Sequence, residues 1–199
     1  IDFGGNMVFT PHATEMDSYI AIPHHAPNKT DNLKDYKNRK HLISFVGSYS
    51  THHTRKQASD ILQNREDCFF RDTGSWHFYK RGEELKDSSN FYINNMNDSK
   101  ISLCPRGTGP STIRMWEAMA MGSVPMIISD SLKMPLSNKI DWKEAVIFVP
   151  ESDILNIENY IPDSKKLVDM SEKCIKIYES HFSENVMHKI ITGEINDKI

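Results

Sequence analysis

Five short strand-like runs constrain the fold most: "HLISFVG" (41–47), "DCFFRD" (67–72), "KISLCP" (100–105), "SVPMIIS" (123–129) and "AVIFVP" (145–150). Segments with helical spacing lie between them. "TRKQASDILQNR" puts Ala58, Ile61 and Leu62 on one side, and "SSNFYINNMNDS" fits a short helix. A helix is expected from Ser111 to Met121, stopped by Gly122 as a C′ glycine. "ESDILNIENYI" and "SKKLVDMSEKCIKIYESHF" read as two more, the second with Leu167, Met170, Cys174, Ile177 and Tyr178 on one face. Strands alternating with helices imply an α/β fold, a Rossmann-like parallel sheet with helices on both faces. Such sheets bind ligands in the loops that leave the carboxyl ends of their strands.

The 199 residues divide into an N-terminal arm or linker over 1–40 and a Rossmann-like domain over 41–199. The arm is polar and irregular, with one extended piece, "SYIAIP", before the linker-like "HHAPNKTDNLKDYKNRK". A net charge of −3 argues against a general nucleic-acid binder, whose domain carries a basic stripe. No apolar run approaches the roughly 20 residues of a transmembrane helix. The start at Ile1, not Met, fits a processed or excised piece of a longer chain.

Three cysteines, Cys68, Cys104 and Cys174, match no zinc or redox spacing and read as reduced core thiols. They favour a reducing compartment such as the cytoplasm; in a longer eukaryotic chain the Golgi lumen is the other setting. The sequons at Asn28 and Asn97 matter only in a secreted chain.

One of the strand-to-helix loops carries chemistry: "SLCPRGTGPSTIRMWEAMAMGSVPMII", residues 102–128. Gly107 and Gly109 remove Cβ atoms where a ligand would approach the backbone. Pro110 fixes φ before the helix, leaving Ser111 or Thr112 to cap it. The free N–H groups of a first turn attract an anion, and Arg106 adds a bidentate cation. A diphosphate suits this set. Ser111, Arg114 and Glu117 share one helix face, and Glu117 lies about 9 Å down the axis from Ser111. That spacing fits a carboxylate bonding the ribose of the same nucleotide. The plainer alternative is a cap at Ser111 and an i,i+3 surface ion pair between Arg114 and Glu117. The apolar neighbours Ile113, Met115, Trp116, Met119 and Met121 weigh against a solvent-facing pair. Neither the P-loop lysine nor the third glycine of a dinucleotide loop is present.

The stretch from Ser99 to Ile154 resembles the C-terminal half of the exostosin-like glycosyltransferases. The shared pieces are the C-P-R-G loop, P-S/T-x-R-x-x-E-A, G-x-x-P-x-I-I-S-D, the I-D-W segment and F-V-P-E. Upstream, "YIAIP" and "ISFVGS" with Arg55 are similar to further family segments, so the likeness runs over about residues 17 to 180. It implies the C-terminal domain of a two-domain, GT-B glycosyltransferase. The reaction implied moves a sugar from a nucleotide diphosphate, UDP first among the candidates, to a glycan or other acceptor with inversion. On matching positions, Arg55, Arg106, Gly107, Thr108, Gly109, Ser111, Thr112 and Arg114 would surround the diphosphate, and Glu117 the ribose. Thr108 stands where relatives often carry an aromatic or acidic residue, which leaves the sugar and the base open.

No cofactor is expected, and no obligatory metal, because the sequence holds no Asp-x-Asp triplet. The chain is short for a two-domain enzyme, so a missing N-terminal domain or a partner subunit is expected to supply the acceptor side. The catalytic base stays unassigned: Asp130, Asp141 and the histidines are candidates that spacing does not rank. His24–His25 and His52–His53 read as loop histidines, since adjacent rings do not readily face one ion and no third ligand has matching spacing. Asp141–Trp142 reads as a structural turn with a core indole. A non-catalytic nucleotide-sugar-binding module, or a scaffold partner of an active subunit, is the alternative to an enzyme.

Overall fold

The computed structural model describes residues 21, 23–74 and 82–196. Five parallel strands form one sheet: β1 (His41–Gly47), β2 (Cys68–Asp72), β3 (Ser99–Pro105), β4 (Val124–Ile128) and β5 (Ile147–Val149). Their order is β2-β1-β3-β4-β5. The chain runs outward from β1 to β2, then returns to add β3 on the other side, so the direction of winding reverses between β1 and β3. Strand-to-helix loops diverge there and leave a crevice at the carboxyl end of the sheet.

Alternation along the strands divides the core. Ile101 and Leu103 of β3, with Val124, Met126 and Ile128 of β4, pack on Ala58 and Leu62 of α1 (His53–Leu62). Ile154 and Ile157, and Leu167 and Met170 of α4 (Ser164–Ile177), complete that layer. Cys104 and Ile127 face the opposite way, against Met115, Trp116 and Met119 of α3 (Ile113–Ala120). Helix α2 (Gly82–Asn97) covers the same side through Met96. With both faces covered, the strands read as continuous apolar runs.

Several boundaries differ from the sequence expectation. Helix α2 is longer than the short helix expected, and α5 (Glu184–Asn196) was not anticipated. α3 starts at Ile113, not Ser111, because Thr112 is extended (φ −140°, ψ 135°) and Ser129 Oγ pins the Pro110 carbonyl at 2.7 Å. Its end agrees: Gly122 has φ 65°, the left-handed C′ position. Residues Glu151–Tyr160 form a kinked 3-10 segment, not an α-helix. The Asp153 carboxylate accepts from Asn156 Nδ2 and from the Tyr160 hydroxyl, and Asp153 and Asn156 both leave helical φ/ψ. Short polar side chains compete in this way for the helical conformation.

The indole of Trp142 is buried, as expected. It donates from Nε1 to the Pro135 carbonyl at 2.9 Å and stacks on Phe182 at 5.6 Å, while Asp141 caps the turn. All three cysteines are free thiols. Of "SYIAIP", only Ala21 and Pro23 lie within the described residues, and Trp76 lies outside them.

Candidate functional site

Two loops border the crevice, one leaving β1 at Ser48 and one leaving β3 at Arg106. Arg55, in the first turn of α1, joins them. Its Nε donates to the Arg106 carbonyl at 2.9 Å and its Nη1 to the Ser48 carbonyl at 3.0 Å. Burial, helped by the nearby Arg114 charge, lowers its pKa to about 10, which still leaves it cationic at neutral pH. A Cβ on Gly107 would stand 3.0 Å from Arg55 Nη2, so glycine lets this guanidinium lie close under the loop.

Arg106 points toward β5. Its Nη1 meets Glu151 Oε1 at 3.4 Å, while its Nε is buried with no partner among the described residues. Such an orphaned donor costs free energy unless a ligand or water satisfies it. Glu151 is held from both sides: its Oε1 accepts from the Asp130 amide at 3.1 Å, and its own amide donates to Asp130 Oδ1 at 2.9 Å.

The loop then turns on itself, Gly107 N–H donating to the Gly109 carbonyl at 3.2 Å, with Thr108 exposed at its tip. Thr112 occupies the N-cap of α3 but its hydroxyl caps no amide, and Ser111 is not a cap either. Instead Ser111 Oγ shares a 2.7 Å hydrogen bond with His24 Nε2. The first-turn amides of α3 therefore have no side-chain cap, at the positive end of the helix dipole.

Arg114 and Glu117 do not form the surface ion pair of the plainer alternative. The Arg114 guanidinium lies over the Phe45 ring at 4.1 Å, near the Tyr92 ring at 5.6 Å, and Nη2 donates to the Val46 carbonyl at 2.6 Å. Glu117 is 1% exposed. Its Oε1 accepts from the Asn28 amide at 3.1 Å and Asn28 Nδ2 at 2.7 Å, and its Oε2 accepts from the Tyr92 hydroxyl at 2.6 Å. Burial, together with the Glu117 charge, keeps that phenol protonated, well above its ordinary pKa. Three of the roughly four acceptor positions of the carboxylate are thus in use.

Of the residues expected at the site, Arg106, Gly107, Thr108, Gly109, Ser111 and Thr112 lie together in the β3–α3 loop at the carboxyl end of the sheet. Arg55 and Arg114 stand behind it as struts on backbone carbonyls, and Glu117 is enclosed. The fold also brings together what spacing did not. The rings of His52 and His53 lie 4.3 Å apart, tilted by 37°, and a nitrogen of each and a Glu151 oxygen lie within 4.8 Å of one another. The partner carboxylate arrives from β5, far along the chain. His52 caps α1 through Nδ1, and burial, then His53 and Arg106, favours its neutral form. Glu151, Tyr92 and Asn28 were not singled out as site residues from sequence, and His24 only as one of the histidines left open as the base. The F-V-P-E motif marked Glu151 without giving it a role.

A model of the Exostosin GT47 domain matches residues 5–164. The chain belongs to the exostosin GT47 family. An "Exostosin-1 homolog" of Caenorhabditis elegans is 28% identical over 180 residues, covering 81% of this chain and 47% of that protein. A "Probable beta-1,4-xylosyltransferase IRX10" of Arabidopsis thaliana is 32% identical over 75 residues, or 38% of this chain and 18% of the relative. The chain therefore spans about half, or less, of the exostosin-family proteins it matches. Among solved structures, that of TarM covers 92% of this chain and 39% of its own, a distant likeness at TM-score 0.49 and 10% identity.

Proposed function

We propose that this chain is the donor-binding half of an exostosin-family glycosyltransferase and holds the diphosphate of a nucleotide-sugar between Arg106 and the first turn of α3. One observation carries the reading: at the point where the winding of the sheet reverses, one short loop begins with a buried, unpartnered arginine donor and ends at a helix N-terminus with no side-chain cap. Anion binding satisfies both. In the transfer, the departing nucleotide diphosphate gains charge, and a fixed guanidinium with oriented amides stabilises it without reorganisation. Arg55 ties the two loops together, and Arg114 ties α3 to β1. Glu117 bonding the ribose, as its place on α3 suggests, requires Asn28 to leave its carboxylate.

Family membership supports inversion by single displacement, with a base on the acceptor side deprotonating the acceptor hydroxyl. That side comes from chain outside these residues or from a partner subunit. We read the diphosphate as metal-independent, its charge met by Arg106 and α3, and the His52, His53 and Glu151 group gives that statement a direct test.

Calorimetric titration with UDP, GDP, ADP and CMP, with and without EDTA, tests the reading on the wild type and Arg106→Gln. The expected result is one diphosphate bound equally with and without EDTA, and at least about tenfold more weakly by the variant. A folded wild type that binds no nucleotide refutes the donor site. Binding abolished by EDTA refutes metal independence alone.

A further inference from the structure

Side chains from two distant parts of the chain converge at one edge of the crevice. His52 caps α1 with extended backbone (φ −162°, ψ 143°), and His53 begins the helix. Successive residues of a strand point to opposite sides, but here the backbone turns helical between the two. Their rings therefore lie side by side, 4.3 Å between centroids. Glu151 arrives from just past the end of β5, so that a nitrogen of each ring and a carboxylate oxygen fall within 4.8 Å of one another. Each residue keeps coordinating capacity. His52 spends Nδ1 on Thr54, and Glu151 spends Oε1 on the Asp130 amide and Arg106. Among the described residues, His52 Nε2, the His53 ring nitrogens and Glu151 Oε2 have no hydrogen-bond partner.

We propose that His52, His53 and Glu151 form a binding site for a divalent transition metal of the zinc class, held by two imidazole nitrogens and one carboxylate oxygen. Three such ligands are a zinc-type set whose fourth position stays open to water. Ligand distances of about 2.0–2.2 Å place tetrahedral ligand atoms roughly 3.3 Å apart, so small side-chain rotations complete the site, and His53 is exposed and free to make them. The surroundings select the metal. Arg106 beside Glu151 and the positive end of α1 both oppose a cation held by charge alone. Magnesium and calcium, which want several oxygens, gain too little here, whereas a metal with strong nitrogen affinity gains two imidazoles. Thr54 supplies the supporting contact: its buried hydroxyl, 2.9 Å from His52 Nδ1, accepts the ring proton and leaves the Nε2 lone pair for the metal. An ion there ties the loop after β1 to the chain after β5, across the two strands that separate them in the sheet. The inference is independent of the donor-site reading, because the ion needs no diphosphate and Glu151 Oε1 stays on Asp130 and Arg106.

Calorimetry and thermal unfolding of the untagged, EDTA-treated chain with ZnCl2, CoCl2, MgCl2 or CaCl2, and no nucleotide present, test this. Zn2+ is expected to bind once per chain and to raise the melting temperature as its concentration rises. Co2+ is expected to bind with the visible absorption of a four-coordinate site, and Mg2+ and Ca2+ to do neither. His53→Ala, Glu151→Gln and Thr54→Val are each expected to weaken Zn2+ by at least about tenfold. His53→Ala decides if another variant misfolds, because this exposed ring makes no hydrogen bond among the described residues. A wild type that binds no Zn2+, or a His53→Ala variant that binds it as the wild type does, overturns the site. Mg2+ binding as tightly as Zn2+ overturns the metal class. None of these outcomes bears on nucleotide binding, which the titrations with UDP, GDP, ADP and CMP decide separately.

Discussion

Arg55 bonds the main-chain carbonyl of Arg106, so the guanidinium that supports the loop and the guanidinium proposed to meet the diphosphate are different residues. Arg55 spends its other bond on Ser48, across the point where the winding of the sheet reverses. Lysine presents a point charge and cannot serve two carbonyls in one plane. Arg55→Lys is therefore expected to lose about 1–3 kcal/mol of unfolding free energy in urea. Arg106→Gln should remain near wild-type stability while losing nucleotide affinity. If Arg55→Lys keeps full stability yet loses affinity as Arg106→Gln does, Arg55 is a ligand and not a strut.

Glu151 neutralises Arg106 from the far side of the crevice, at 3.4 Å, with both side chains largely shielded from solvent. Glutamine in its place still accepts from the Asp130 amide but carries no charge. Glu151→Gln is expected to bind pyrophosphate several-fold more tightly at low salt, with the gain shrinking as ionic strength rises. A loss of affinity would mean that Glu151 orients Arg106 more than it competes with the anion.

The strands and the β3–α3 loop were legible because their signals are local: apolar runs, Gly122 past a helix end, glycines and a proline between Arg106 and Ser111. The environment of Glu117 was not. Its neighbours are Asn28, 89 positions away, and Tyr92, 25 positions away; Tyr92 lies in no motif, and the sequon at Asn28 says nothing of a carboxylate partner. Likewise the arm reads as linker because Asn, Lys and Asp dominate it, yet the buried Arg39 bonds the carbonyls of Ser99 and Met121 at 2.9 and 2.6 Å, and Lys34 pairs with Asp98. Polar composition marks a solvated loop only when its donors face water, and here they face carbonyls and carboxylates of the domain. His52 and His53 read as loop histidines because adjacent rings do not readily face one ion and no third ligand has matching spacing, yet the fold brings Glu151 to both.

Beneath α3, Trp116, Trp142 and Phe182 pack as one aromatic cluster, with Trp116 edge-on to Trp142 at 6.1 Å and 4.8 Å from Phe182. Removing the Trp142 indole leaves a cavity and orphans the Pro135 carbonyl. Trp142→Ala is expected to cost about 3–5 kcal/mol. The urea midpoint should fall while the slope of the transition stays unchanged. An indole that served instead as an acceptor platform would leave the midpoint nearly untouched.

The buried thiols make stability fall with alkaline pH. Burial pushes the Cys104 thiol up to about 12, against an ordinary 9.0, with the Arg114 charge opposing and the Glu117 charge assisting. Cys174 moves in the same direction, again by burial, and Cys68 is raised to about 11. A raised folded-state pKa means that the native chain keeps a proton the unfolded chain gives up. This contribution is whole below pH 9 and is lost as pH climbs toward 12, at about 1.4 kcal/mol per pH unit for each fully buried thiol. Urea unfolding of the wild type and Cys104→Ala between pH 8 and 11 should show a shallower decline in the variant above pH 9. A thiol reagent at pH 8 should modify Cys68 slowly and the other two only after unfolding. Equal slopes above pH 9, or fast native labelling of Cys104, would show that β3 opens to solvent at the root of the β3–α3 loop.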